Sequence, residues 1–281
     1  INDPYAGGTH MSDTRVLVPV FHDGELFAWT QTNGHWADMG GSVPGSYDVT
    51  ARDMFKEGIR ISPVKIWRRG EYCKDVARLV ANNTRDPESI IGDMEAQTEG
   101  CRVGERELLR LVDKYGKETV KTAFTATKDH VERYARQRLS EFPDGTWETV
   151  DFVDQDPTRE EGLIPIHVKM TIRGDEVEFD LTGSHETIGS MYNSAFGGTF
   201  AAVVVGMKTF FPDIPMNSGF YRVLKLVVPE NSVVSAEWPV AVSGFVMPFE
   251  KIINSIFELW SRLMPERSLA CGFNVEYLQT G

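Results

Sequence analysis

Two short histidine–carboxylate pairs stand near the start of the chain. Thr9-His10-Met11-Ser12-Asp13 sets an imidazole three residues before a carboxylate, and Gly34-His35-Trp36-Ala37-Asp38 repeats the His-x-x-Asp spacing. If the two pairs converge, imidazole nitrogens and carboxylate oxygens form a mixed donor set suited to Zn, Mn or Fe, with positions left open for a substrate oxygen. The same spacing also serves histidines that cap turns or make ordinary hydrogen bonds, and taken alone it favours that plainer use. Glycines at 7, 8, 34, 40 and 41 would let backbone come close to such a site.

Two further carboxylates are candidate catalytic groups. Asp38 could orient His35, act as a general base, or cap the Gly40-Gly41 turn. Glu57, with Arg60, either lines a polar pocket or forms a solvated pair after a helix-like Ala51–Lys56 stretch. Trp29 and Trp36 flank His35 and serve equally as pocket lining or core. His22, His130 and His167 lack metal-like partner spacing and read as structural, and His185 reads as a loop residue. Cys73, Cys101 and Cys271 read as incidental thiols.

The elements that must position these residues change along the chain. From Asn2 to Gly70 the pattern is strands and glycine-rich loops, with a hairpin turning at His22-Asp23-Gly24-Glu25 and a second turn at Asn33-Gly34. From Arg85 to Phe142 it is helical. Leu108, Leu109, Leu111 and Val112 share one side of a helix ending at Gly116, and an amphipathic helix covers Lys117–Phe142. Strand alternation follows over Thr146–Val153, Ile164–Ile172 and Glu176–Leu181, the last two joined at Arg173-Gly174-Asp175. Helices are expected over Ser194–Phe211 and Phe249–Met264, and strands over Tyr221–Val228 and Pro239–Val246. The expected fold class is α+β, divided into a strand/loop region over 1–84, a helical segment over 85–142 and an α+β region over 143–281.

Composition bounds the function. A net charge of −12 over 281 residues argues against a nucleic-acid or anionic membrane surface. Phe196–Phe211, the longest apolar run, is broken by three glycines and a lysine, so no membrane span is expected. Three cysteines without paired short spacing fit a reducing, cytoplasmic setting. The chain opens at Ile1 without Met and reads as an internal piece of a longer polypeptide.

Asn2-Asp3-Pro4-Tyr5-Ala6-Gly7-Gly8-Thr9-His10-x-x-Asp13, Pro19-Val20-Phe21 and Gly34-His35-x-x-Asp38-x-Gly40-Gly41-x-x-Pro44-Gly45-Ser46 closely resemble the hydantoinase B/oxoprolinase family. Glu57-Gly58-Ile59-Arg60-Ile61, Gly92-Asp93-x-x-Ala96-Gln97, Pro143-Asp144-Gly145, Asp180-Leu181-Thr182-Gly183-Ser184 and Pro215-x-Asn217-x-Gly219 continue the resemblance in the same order. It implies metal ligands at His10, Asp13 and His35, and a subunit or fused half that works with a hydantoinase A-type ATP-binding partner in a hetero-oligomer. That partner would phosphorylate an oxygen of a small-molecule substrate. This chain has no phosphate-binding Gly-x-x-x-x-Gly-Lys pattern, so ATP is expected on the partner.

The resemblance covers two reactions: opening of a cyclic amide (a hydantoin, 5-oxoproline or a lactam) and carboxylation of a ketone such as acetone or acetophenone. Trp36 stands where the family usually has a second histidine, and Gly244–Lys251 replaces a more polar stretch. Both departures point toward the ketone, yet the larger membership of the family tips the expectation narrowly toward hydrolysis, with carboxylation as the alternative. A structural subunit without chemistry is the third reading, and a lack of metal in the protein would favour it.

Overall fold

The structure, a computed structural model, describes residues 1–154, 156 and 162–270, and Cys271 lies outside them. Its first long elements are β1 (Asp13–His22) and β2 (Glu25–His35), an antiparallel hairpin. Asp23 and Gly24 take φ of 52° and 79°, the positive values that a two-residue turn needs, and the expected hairpin is found. The second expected turn is not. Asn33 and Gly34 pair with Arg15 and Thr14, because the ladder runs on to His35.

A small hairpin, β3 (Trp67–Arg68) and β4 (Glu71–Tyr72), leads into α1 (Lys74–Ala81). The long α2 (Pro87–Tyr115) starts where the Asp86 carboxylate accepts from the Ser89 N–H at 3.2 Å and stops at Gly116, whose φ is 85°. It buries Ile90, Met94, Thr98, Cys101 and Val112, successive positions of one stripe, while Leu111 is exposed rather than on the packed side. Then comes α3 (Lys117–Leu139), which buries Val120, Val131, Ala135 and Leu139.

The second half is a four-stranded sheet in the order β5 (Gly145–Val153), β6 (Ile164–Arg173), β7 (Glu176–Asp180), β8 (Leu224–Val227). It is antiparallel except for the β7–β8 pair. Every second residue of β6, from Ile164 to Ile172, is fully buried. Between β7 and β8 lie α4 (Phe196–Phe210) and the single turn α5 (Ser218–Tyr221); α6 (Val246–Leu263) packs on α4 and on β5. Trp260, Phe179, Phe210 and Phe211 fill the core they enclose. The architecture is α+β, and among the described residues no helix is long and apolar enough to cross a membrane.

Two sequence expectations fail in the same place. Ala51–Lys56 is a run of turns, not a helix, and Pro239–Val240 begins a loop, not a strand. Six residues cannot sustain a helix unaided. Their backbone pairs instead across the molecule: the Met54 N–H donates to Pro239 O at 2.9 Å, and Asp53 and Val240 form an isolated bridge.

Candidate metal centre

The hairpin register assembles half of the site. Asp13 begins β1, His35 ends β2, and the two are direct cross-strand partners. A register shift between Val20 and Phe21 decides this: counted back from the turn without it, Asp13 would face Gly34. The base of the hairpin is clamped to α2 through Gln97. Its amide donates to Thr14 O at 2.9 Å and accepts from the Trp36 indole N–H at 2.8 Å. Asn2 fixes the preceding loop by donating to Met11 O and Ile59 O and accepting from the Ile61 N–H.

His10, Asp13 and His35 therefore meet. Their ligand atoms lie within 4.8 Å of one another; His10 Nδ1 is 3.2 Å from Asp13 Oδ2, and His35 Nδ1 is 3.1 Å from Asp13 Oδ1. Those separations are what neighbouring ligands about 2.1 Å from one ion would have. Two imidazoles and a carboxylate fit a divalent transition metal with positions left open. Burial alone would raise the Asp13 carboxyl, but hydrogen bonds from His10, Thr9 and His35 outweigh it. They hold the group well below the usual carboxylate range, so it stays ionised. His10 is 3% exposed, whereas the His35 side chain is about half exposed (54%), so the group opens to solvent on the His35 side.

The closed side comes from residues far along the chain. Phe245 lies against His10 with ring centroids 5.1 Å apart, and Tyr47 Oη is 3.0 Å from His10 Nε2. The start of α4 presses on the ligand loop so tightly that a Cβ at Gly197 would sit 2.4 Å from Gly8 O. Tyr5 Oη donates to Val240 O, which joins the same loop to the segment that carries Phe245.

The two predicted catalytic carboxylates lie outside the three-residue group. Asp38 accepts from the N–H groups of Gly40 (2.7 Å), Gly45 (2.9 Å) and Arg85 (3.1 Å), and its Oδ2 is 3.0 Å from an Arg85 guanidinium nitrogen. Burial works against ionisation there, and these four donors overcome it and lower the pKa. Of the readings open in the sequence, the turn cap is the one that these bonds realise. Glu57 is fully buried, not part of a solvated pair. Its Oε1 accepts from the Ser243 N–H at 2.6 Å, and Oε2 has no hydrogen-bond partner among the described residues. Burial pushes its pKa up to about 7, against the pull of nearby Ser243 and Val242. Arg60 pairs with Asp3 and stacks over Trp238.

Neither tryptophan lines the site. Trp29 pairs with Pro19 in mid-hairpin and is exposed, and Trp36 is core beside Met11 and Met39. Sequence reasoning missed Tyr47 and gave Gln97 no role. Tyr47 follows directly on Pro44-Gly45-Ser46, so the turn after the second pair was the signal that could have found it.

A sequence model of the family described as "Hydantoinase B/oxoprolinase" matches residues 1–280. The chain is similar to the caprolactamase subunit beta of Pseudomonas jessenii, 34% identical over 272 residues that cover 96% of this chain and 46% of that one. It is also similar to the acetophenone carboxylase delta subunit of Aromatoleum aromaticum, 26% identical over 95% of this chain and 40% of that one. Among solved structures, the ATP-dependent caprolactamase from Pseudomonas jessenii matches with a TM-score of 0.89 and 33% identity, over 95% of this chain and 46% of that one. The chain spans less than half the length of each of these relatives.

Proposed function

The chain belongs to the hydantoinase B/oxoprolinase family, and on that premise we propose that His10, Asp13 and His35 hold the divalent metal of an ATP-dependent enzyme that opens a cyclic amide. The observation that carries this reading is the convergence of those three side chains, from two segments, with an ionised carboxylate between two imidazoles. The metal is Mn, Zn or Fe, about one per copy, by the preference of imidazole and carboxylate donors. The substrate is a lactam, hydantoin or 5-oxoproline activated by phosphorylation on a hydantoinase A-type partner subunit. The similarity to caprolactamase subunit beta, higher than to the carboxylase subunit, supports hydrolysis.

A divalent ion bound here supplies Lewis-acid polarisation of a substrate oxygen. The chain's own residues do the rest. His35, the exposed member, faces incoming substrate, while Phe245 and Tyr47 exclude water from the far side of His10. Glu57 takes a positioning role: it grips the backbone at Ser243, and that backbone carries Phe245. Asp38 anchors the loop from Gly40 to Gly45.

A second reading, ketone carboxylation, draws on one observation. Phe245 makes the wall beside His10 apolar, as a site that must keep water from an activated enol would require. The deciding experiment is ATP turnover by the complete protein purified with its natural partner, with lactams and hydantoins compared against ketones plus bicarbonate. Stimulation by a cyclic amide with ring-opened product is the expected result; stimulation by ketone and bicarbonate alone would replace hydrolysis with carboxylation. Elemental analysis of His10→Ala and His35→Ala is expected to show the metal gone. Unchanged metal content in both would remove the assignment of the site.

A further inference from the structure

His10 is gripped at both ring nitrogens. Nδ1 faces Asp13 Oδ2 at 3.2 Å and Thr9 Oγ1 at 3.3 Å, and Nε2 faces Tyr47 Oη at 3.0 Å. The ring is nearly solvent-free, between Phe245 on one side and His35 and Tyr47 on others. A neutral imidazole carries one proton, and the nitrogen that carries it cannot ligate. For Nδ1 to present its lone pair toward Asp13 and His35, Nε2 must be the N–H, and a buried N–H needs an acceptor. Tyr47 Oη stands at the place that acceptor must occupy.

We propose that Tyr47 is the positioning residue of this centre. Its phenol oxygen accepts from His10 Nε2–H and thereby holds the tautomer whose Nδ1 lone pair points into the ligand group. The proposal rests on the metal reading above and extends it to a residue outside the ligand set. A phenol suits the task because it both donates and accepts. With no ion present, its O–H can turn to donate to Nε2 while Nδ1–H faces Asp13; when an ion binds, the ring proton moves to Nε2 and the phenol accepts from it. Solvent takes the Nδ1 proton and returns one to Nε2, so the ring stays neutral and no other bond changes.

The loop that delivers Tyr47 is built to hold it. Gly45 and Ser46 take φ of 76° and 63°, in the left-handed region that a serine rarely adopts. Ser46 is kept there by its hydroxyl, which accepts from the Met39 N–H at 2.8 Å and donates to Gly40 O at 3.0 Å. The Gly45 N–H is tied to Asp38, and Asp38 to Arg85. Asp38 thus acts on His10 at one remove, through the turn that aims Tyr47.

The test is a competition titration with Mn²⁺, and with Co²⁺ as a spectroscopic probe, on the complete protein with its co-purifying partner. Wild type, Tyr47→Phe and His10→Ala are compared. Tyr47→Phe is expected to bind about 10–100-fold more weakly and to shift the visible Co²⁺ bands, while circular dichroism shows the metal-free variant folded. If wild type binds and Tyr47→Phe matches it within about threefold with an unchanged Co²⁺ spectrum, the positioning role is refuted and the metal site stands. If wild type itself binds neither ion, the metal reading falls and this inference falls with it.

Discussion

The buried carboxyl of Glu57 offers the sharpest measurement, because a fully buried acid, with one oxygen unpartnered among the described residues, makes stability depend on pH in a known direction. Its pKa in the fold is about 7 against an ordinary 4.5. The unfolded chain therefore releases this proton near 4.5 and the native protein near 7; between them the native state binds more protons, and stability falls as pH rises. The full contribution is present below 4.5 and lost above 7. The gap of about 2.5 on the pH scale, at about 1.36 kcal/mol per decade, makes the loss on the order of 3 kcal/mol. Glu57→Gln keeps the shape and the bond from the Ser243 N–H but has nothing to ionise. Its amide nitrogen, placed where Oε2 has no partner, costs about 1–3 kcal/mol at every pH. Urea unfolding of both proteins from pH 5 to pH 9 is the assay. The glutamine variant should be the weaker at pH 5 and gain about 3 kcal/mol on wild type by pH 9. Groups that titrate alike in both cancel from the difference, and Tyr5 beside Glu57 stays protonated across the range because burial and the neighbouring acids raise its pKa. A difference that stays constant from pH 5 to pH 9 would refute the argument that burial sets this pKa.

Two other perturbations test how the site is held. Arg85→Ala removes the guanidinium that binds Asp38 and the carbonyls of Gly40 and Gly41; with that side chain partly exposed, a cost of about 1–2 kcal/mol is expected in urea unfolding. Metal affinity should fall too, since the same loop aims Tyr47, and an unchanged affinity would separate loop from site. Gly197→Ala forces a Cβ onto Gly8 O at 2.4 Å. It should displace the ligand loop and lower metal content, whereas the same substitution at Gly92, where a Cβ meets nothing within 4 Å, should leave content unchanged.

What was legible in the sequence was local. Asp23-Gly24 declared the hairpin, Gly116 the end of α2, and the alternation of Ile164, Ile166, Val168 and Met170 the central strand, because each depends on backbone conformation or on one buried face. The three candidate ligands, and that they could converge, were legible through the family motif, but how the chain brings them together was not, since it depends on a one-residue register shift near Phe21 that no turn signal encodes. Asn33-Gly34 misled for a related reason: a turn-prone dipeptide stays in a strand when its neighbours find partners, and Gln97 on α2 leaves room at Gly34 only for a glycine. The 239–246 segment read as a strand because its apolar residues are buried, yet they are buried as a loop against residues 53–57 and His10.

That loop explains why the site needs both ends of the chain. The proposed ligand role of His10 requires a fixed and dry ring, and its loop, short and glycine-rich, lacks the apolar side chains to do this alone. Phe245 covers it, and Phe245 stays put because Glu57 and Tyr5 hold the backbone before it while Gly244 N–H donates to Met191 O at 3.0 Å. Each of these contacts closes a long stretch of chain, which is entropically costly. The large apolar core between α4, α6 and the four-stranded sheet offsets that cost by fixing the loop's two ends. The sheet and its helices thus carry none of the three proposed ligands, and they set the rigidity of the residue on which the proposed metal affinity depends.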